Sequence, residues 1–212
     1  VIENKSESVV GGRSTAVQRR GVERVQAILD AAEALHGEQG YAAATLKAIG
    51  ERAGIPTASL YHYFADRHQV DAALLQRHVS GLNESLTAAL NDPQVNSLTE
   101  AVDAIVGPMF AYFRTHPSAV QLWFAGRDST LSQLSHTFDE SWAQQLWSFL
   151  VERGFIMEDT PALVVRLAFE AGDRVFDVAF QRSPKGDDET VVELRRMVTA
   201  YLQTYAPQAL DR

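Results

Sequence analysis

From Val22 onward, apolar positions recur at intervals of three and four. Val25, Ile28, Leu29, Ala32 and Leu35 mark a first amphipathic helix that should end at Gly37–Gly40. Thr45 is placed to cap a short helix through Ala53, and Gly54 stands just past its end. Pro56 and Thr57 open another short helix, to about Phe64, because proline's missing N–H costs nothing in a first turn. Asp66 then caps a long helix with Val70, Leu74, Leu82, Leu86 and Leu90 on one side, stopping before Pro93. The pattern predicts five more helices: from Ser97 to His116-Pro117, over 118–125, over 129–153, from Thr160-Pro161 to Gln181, and from Asp187 to about Tyr205. Period-two alternation never persists, so no strand is predicted. The expected fold is all-α, a three-helix N-terminal domain joined by a long helix to a C-terminal helical bundle.

Composition narrows the functional classes. The chain has 212 residues, 46% hydrophobic and 22% charged, enough for a sizeable core without staples. It has no cysteine, which removes thiol nucleophiles, Fe–S ligation and zinc-finger clusters. No apolar stretch is long enough for a membrane span, and Val1–Val10 lacks an apolar signal core, so a cytoplasmic protein without a membrane partner is expected. The net charge of −8 argues against nucleic acid only if it is spread evenly. It is not: residues 1–80 carry nine Lys/Arg against nine Asp/Glu, and the remainder carries ten against eighteen. The neutral N-terminal part is therefore free to meet a polyanion. The polar, Gly/Ser-rich stretch at 1–19 reads as a flexible arm, 20–67 as the first domain and 68–212 as the second.

The segment Thr45–Arg67 is the most informative. Leu46, Ile49, Ala53, Ile55 and Leu60 can pack around a tight turn at Ala53-Gly54-Ile55 and hold the second short helix across the first. A helix presented that way can enter a major groove about 12 Å wide. Thr57, Ser59, Tyr61, His62 and Tyr63 remain outside to read it, with Lys47 and Arg67 for phosphates. Arg13, Arg19, Arg20 and Arg24 could reach the backbone or minor groove, or simply be solvated. The pattern Thr45-x-x-x-Ile49-x-x-x-Ala53-Gly54-Ile55-x-x-x-x-Leu60-Tyr61-x-Tyr63-Phe64-x-Asp66-Arg67 resembles the DNA-binding domain of TetR-family transcriptional regulators over about residues 20–75. That resemblance implies a homodimer on a near-palindromic operator, usually a repressor released by a small molecule. It places Thr45, Lys47, Thr57, Ala58, Ser59, Tyr61, His62, Tyr63 and Arg67 at positions that commonly contact DNA. Arg67 stands where many members have Lys, and Pro56 where Ser is common.

The remaining residues suggest a sensor. Most of the ten Phe and all three Trp fall between 110 and 176. Phe110, Phe113, Trp123, Trp142, Phe169 and Phe176, with Asp173, are the candidate lining of a pocket for a hydrophobic or aromatic effector. On the helix from Pro161, Arg166, Glu170, Asp173, Arg174, Asp177 and Gln181 form a polar stripe. Salt bridges of Glu170 and Asp173 with Arg166 and Arg174 are the simplest account of it, a cationic ligand the alternative. The rest of that helix is apolar enough to be buried on two sides, one of them a partner subunit. Val191, Leu194, Val198, Tyr201 and Tyr205 offer a second contact stripe. No nucleophile stands beside an identifiable base, and His62 with His68 lacks a third ligand, so no enzyme, metal site or cofactor is expected. A regulator that senses a partner protein, has no ligand, or activates is the alternative.

Overall fold

The computed structural model describes residues 10–124 and 130–207, with side chains from residue 18 onward. Every regular element among the described residues is helical. The chain divides into two units, Val1–Leu74 and Leu75–Arg212, with the division falling inside one helix.

The first unit contains α1 (Val10–Gln39), a 3₁₀ turn at Tyr41–Ala43, α2 (Leu46–Ala53), α3 (Thr57–Leu60) and the start of α4 (Arg67–Leu90). α1 begins ten residues before the end of the predicted arm, so Val10–Arg19 is helical rather than irregular. No proline interrupts this stretch, and a helix once nucleated extends at little cost per residue. The side chain of Arg13 and residues 1–9 lie outside the described residues. Ile28, Ala32, Ile49, Leu60, Val70 and Leu74 have no exposed surface and form the core of this unit. α4 starts with a reciprocal cap: Asp66 Oδ1 accepts from the Gln69 N–H at 3.0 Å, and Gln69 Oε1 accepts from the Ala65 N–H at 2.8 Å.

The second unit holds the rest of α4, then α5 (Leu98–Thr115), α6 (Pro117–Phe124), α7 (Thr130–Glu152), α8 (Ala162–Arg182) and α9 (Asp188–Gln203). Ser97 caps α5 by accepting from the Glu100 N–H at 3.2 Å, and Asp187 caps α9 by accepting from the Thr190 N–H at 2.9 Å. Leu74 closes one core; Leu82, Leu86, Phe113, Leu122, Trp142 and Phe176 build the other. Buried His78 joins three helices, with Nδ1 3.1 Å from the Tyr112 hydroxyl and Nε2 2.9 Å from Ser118 Oγ.

α8 and α9 pack against each other, and this changes the expected contact stripe. Val191 and Leu194 are buried, and Leu194 and Val198 lie beside Gly172 of the same chain. The apolar side chains left in solvent are instead Leu163 and Leu167 on α8 with Val192 and Met197 on α9. Among the described residues no helix is long and apolar enough to cross a membrane.

Candidate nucleic-acid interface and ligand cavity

The turn between α2 and α3 is built by glycine chemistry. Gly54 adopts the left-handed conformation at φ 66°, which lets the Ile55 N–H return to the Gly50 carbonyl at 2.9 Å. Gly50 is where α3 comes closest: a Cβ there would lie 2.8 Å from the Ile55 carbonyl oxygen and 2.8 Å from Leu60 Cδ1. Pro56 then supplies the carbonyl that receives the Ser59 and Leu60 N–H groups at 2.8 and 3.2 Å. Leu60 and Phe64 anchor α3 and the turn after it in the core.

What remains outside is the proposed reading surface. Ala58, Tyr61 and His62 are exposed, Tyr61 by 57%, and Thr57, Ser59 and Tyr63 are half-buried. The Tyr63 hydroxyl accepts from Arg24 of α1 at 3.5 Å. Thr45 caps α2 through the Ala48 N–H at 3.2 Å, and exposed Lys47 lies 3.9 Å from Glu51. These eight positions are open, wholly or partly, to a ligand as large as a duplex.

Arg67 is different. Its side chain is only 22% exposed; Nε donates to Asp71 Oδ2 at 3.2 Å and a terminal nitrogen donates to the Tyr41 carbonyl. The guanidinium lies 4.0 Å above the Tyr41 ring. Asp71 Oδ1 sits 2.9 Å from His36 Nε2, and neither residue has any exposed surface. Burial pushes the Tyr41 phenol up, and the Asp71 carboxylate it hydrogen-bonds adds to that shift. The group expected on DNA phosphate is therefore engaged inside the unit, where its planar fork and charge satisfy a carboxylate with no water to turn to.

Two cavities of the second unit bear on the predicted effector site. The smaller, about 50 Å³, is an apolar chamber lined by Phe110, Phe169, Asp173 and Phe176, among others. It is small because the aromatic side chains fill the space themselves. Phe110 meets Phe176 edge-on at 4.6 Å between centroids and stacks on Phe180 at 5.6 Å. Phe113 lines neither cavity; it packs against Trp123 at 5.3 Å and Phe176 at 4.9 Å. Trp142 is also core, with its indole N–H on Asn83 Oδ1 at 3.0 Å and its edge on a shallow groove beside α4.

The larger cavity, a cleft of about 660 Å³ between α6, α7 and α8, falls in the size range of small-molecule sites, roughly 300–1,000 Å³. Trp123 and Asp173 line it. Asp139 was not anticipated, although it follows Ser135 by one helical turn on the inward side of α7. Asp139 and Asp173 border both cavities. The expected salt bridges do not form: Arg166 pairs with Glu140 of α7 at 2.7 Å and Arg174 with Asp177. Oδ1 of Asp139 and Oδ1 of Asp173 are buried without a hydrogen-bond partner among the described residues.

Burial, and then the neighbouring charges of Asp173 and Glu170, push Asp139 up to about 8. Burial also raises Asp173, against the Trp123 hydrogen bond that favours its ionised form. The unfolded chain releases the Asp139 proton near pH 4, the folded one only near 8, so this residue withdraws stability as pH rises through that window. Asp139→Asn should thus melt above wild type at about pH 8 and level with it at about pH 4. The gain should be several degrees, since each kcal/mol is worth about 2–4 °C in a chain of this size. Calorimetric melts that stay parallel across that range would contradict the assignment.

Family comparisons agree with both units. Residues 28–74 match the family model described as "Bacterial regulatory proteins, tetR family", and residues 97–202 match "Tetracyclin repressor-like, C-terminal domain". The chain belongs to the TetR family of transcriptional regulators. Among curated TetR-family relatives, the HTH-type transcriptional regulator BetI of Serratia proteamaculans (strain 568) is 30% identical over 110 residues, covering 52% of this chain and 56% of that protein. BetI of Escherichia coli (strain K12 / DH10B) is 28% identical over a stretch of the same length. The chain thus spans about half the length of the curated relatives it matches. A TetR-family regulator from Streptomyces coelicolor is 27% identical with a TM-score of 0.63, covering 86% of this chain and 99% of that one. FadR from Bacillus subtilis, solved in complex with stearoyl-CoA, shares the fold at 16% identity and a TM-score of 0.65, with coverage of 86% and 99%. Among the described residues of this TetR-family chain, no three His, Asp or Glu side chains are grouped to hold a metal.

Proposed function

We propose that the protein is a cytoplasmic repressor that binds a near-palindromic operator as a homodimer and is released by a small molecule with an apolar or aromatic body. The observation that carries this reading is α3, held out of the core by the Gly54 turn and the Gly50 contact, with Tyr61 and His62 in solvent. Leu163, Leu167, Val192 and Met197 supply an apolar face for the second copy. Two-fold related readers would then meet half-sites about 34 Å apart. α4 runs unbroken across the boundary between the units and is the covalent route for the response. The effector acts through its differential affinity for two states, and a shift from 1:99 to 99:1 needs about 5.5 kcal/mol.

Tyr61→Ala should abolish specific binding to a duplex selected from a random pool while leaving the dimer intact in sedimentation. Unchanged affinity in a gel-shift titration would overturn the placement of Tyr61, and a monomer at micromolar concentration would overturn the dimer.

A further inference from the structure

We propose that the cleft between α6, α7 and α8 takes an organic cation, with a positively charged ammonium-like group seated between Asp139 and Asp173 and an aromatic or apolar body against Trp123, Phe124 and Phe180. Its regulatory meaning rests on the repressor reading; the binding site itself does not.

The charge balance of the cleft is the first argument. Asp139 enters from α7, and Glu170, Asp173 and Asp177 from α8. Among the described residues, the opposing groups lining it are Arg174 and His136. Arg174 is engaged by Asp177, and His136 lies 3.5 Å from Glu140. Among the described residues Arg174 also offsets part of the Asp173 charge, but no ion pair reaches Asp139 or Glu170. An anionic ligand would meet the acids of α8 and would hold Asp139 in its protonated form.

The two unpartnered oxygens are the second argument. A buried carboxylate oxygen without a donor is costly, and native structures seldom leave one. Here there are two, Oδ1 of Asp139 and Oδ1 of Asp173, on facing helices at the junction of cleft and chamber. A neutral hydrophobe would leave both unsatisfied. A ligand N–H would answer them as a donor and a quaternary centre would offset their charge, and either favours the ionised carboxyls that burial opposes.

The walls are the third. The Trp123 indole favours the ionised form of Asp173 and is held edge-on by Phe113 at 5.3 Å and Phe138 at 5.6 Å. A tryptophan fixed beside a carboxylate suits a cation that also presents apolar surface, because its ring attracts positive charge most strongly among the aromatic residues. A metal ion is a poor occupant, since no three carboxylates or imidazoles among the described residues are grouped tightly enough.

The test uses the full chain and two ions of matched shape and opposite charge, tetraphenylphosphonium and tetraphenylborate, in isothermal titration. The phosphonium should bind at least tenfold more tightly than the borate. Asp139→Asn combined with Asp173→Asn should weaken phosphonium binding tenfold or more and leave the borate unchanged or improved. Equal affinities for the two ions, or phosphonium binding that survives the double substitution, would overturn the proposal. Glu170→Gln, at an exposed position, provides a variant that keeps the fold and should weaken phosphonium binding several-fold; no loss there counts against the site. Operator mobility in the same samples separates the two readings. Carboxylate-dependent phosphonium binding by a protein that never shifts DNA upholds the cleft and removes the repressor. A protein that shifts DNA but does not distinguish the ions does the reverse.

Discussion

Asp71→Ala should destabilise the N-terminal unit by about 3–5 kcal/mol, the cost of removing one partner from a buried charged network. Asp71 is fully enclosed and receives Arg67, His36 and the Tyr41 phenol together. Its loss strands a guanidinium that is four-fifths covered and an imidazole that is wholly covered. The substitution lies outside the reading helix, so lost operator binding would accompany lost structure rather than a lost contact. Arg67→Lys makes the distinction sharper. Lysine keeps a charge that could sit on phosphate but not the fork that bridges Asp71 and the Tyr41 carbonyl. It should lower the melting temperature, and a variant as stable as wild type with weakened DNA binding would show that Arg67 serves the backbone of DNA after all. Calorimetry of the full chain decides between these outcomes.

Gly50→Ala should cost stability where helix propensity alone forecasts a gain. Alanine in a helix interior is favoured over glycine by about 1 kcal/mol. Against this, the new methyl would stand 2.8 Å from a backbone oxygen and 2.8 Å from a leucine methyl. The first of these neighbours is backbone rather than the end of a flexible side chain, and Ile55 is held close by its own N–H on the Gly50 carbonyl at 2.9 Å. Overpacking of this kind costs roughly 1–3 kcal/mol, so the net change should be a loss. The larger effect should be on DNA, since α2 and α3 can separate only by re-aiming Tyr61 and His62. A decrease of tenfold or more in operator affinity corresponds to about 1.4 kcal/mol. A variant that melts higher and binds normally would show that the two helices are not in close contact.

These two sites mark where the sequence was readable. The helix ends were legible because their chemistry is local: Thr45, Asp66, Ser97 and Asp187 each cap through an N–H three residues away. The reading helix was legible for the same reason, its turn being written in Gly54 and Pro56. Arg67 looks like a phosphate clamp in sequence, a basic residue beside a reader motif; its partners Tyr41 and Asp71, the latter also held by His36, come to it only through folding. The two apolar faces of α9 look alike in sequence. Which of them turns to α8 of the same chain is a matter of packing, and Val191 and Leu194 do. Phe113 and Trp142 could not be told from cavity-lining aromatics, because an aromatic that fills a space and one that borders it share the same spacing. Asp139 did leave a trace, an acid on the inward register of an amphipathic helix.

The inward turn of Arg67 bears on how the protein would respond to ionic strength. Affinity for a duplex is eroded by salt in proportion to the counterions displaced, hence to the unneutralised cations the protein brings. In this unit Arg67 is consumed by Asp71, Arg52 by Glu38 at 2.6 Å, Arg19 by Glu23 at 3.3 Å, and Lys47 stands 3.9 Å from Glu51. These four cations are partly offset by their partners, which leaves exposed Arg20 and Arg24, in no ion pair among the described residues, to meet the ion atmosphere of DNA. The salt dependence of operator binding should then be carried mainly by that part of α1, and Arg20→Ala with Arg24→Ala should flatten it.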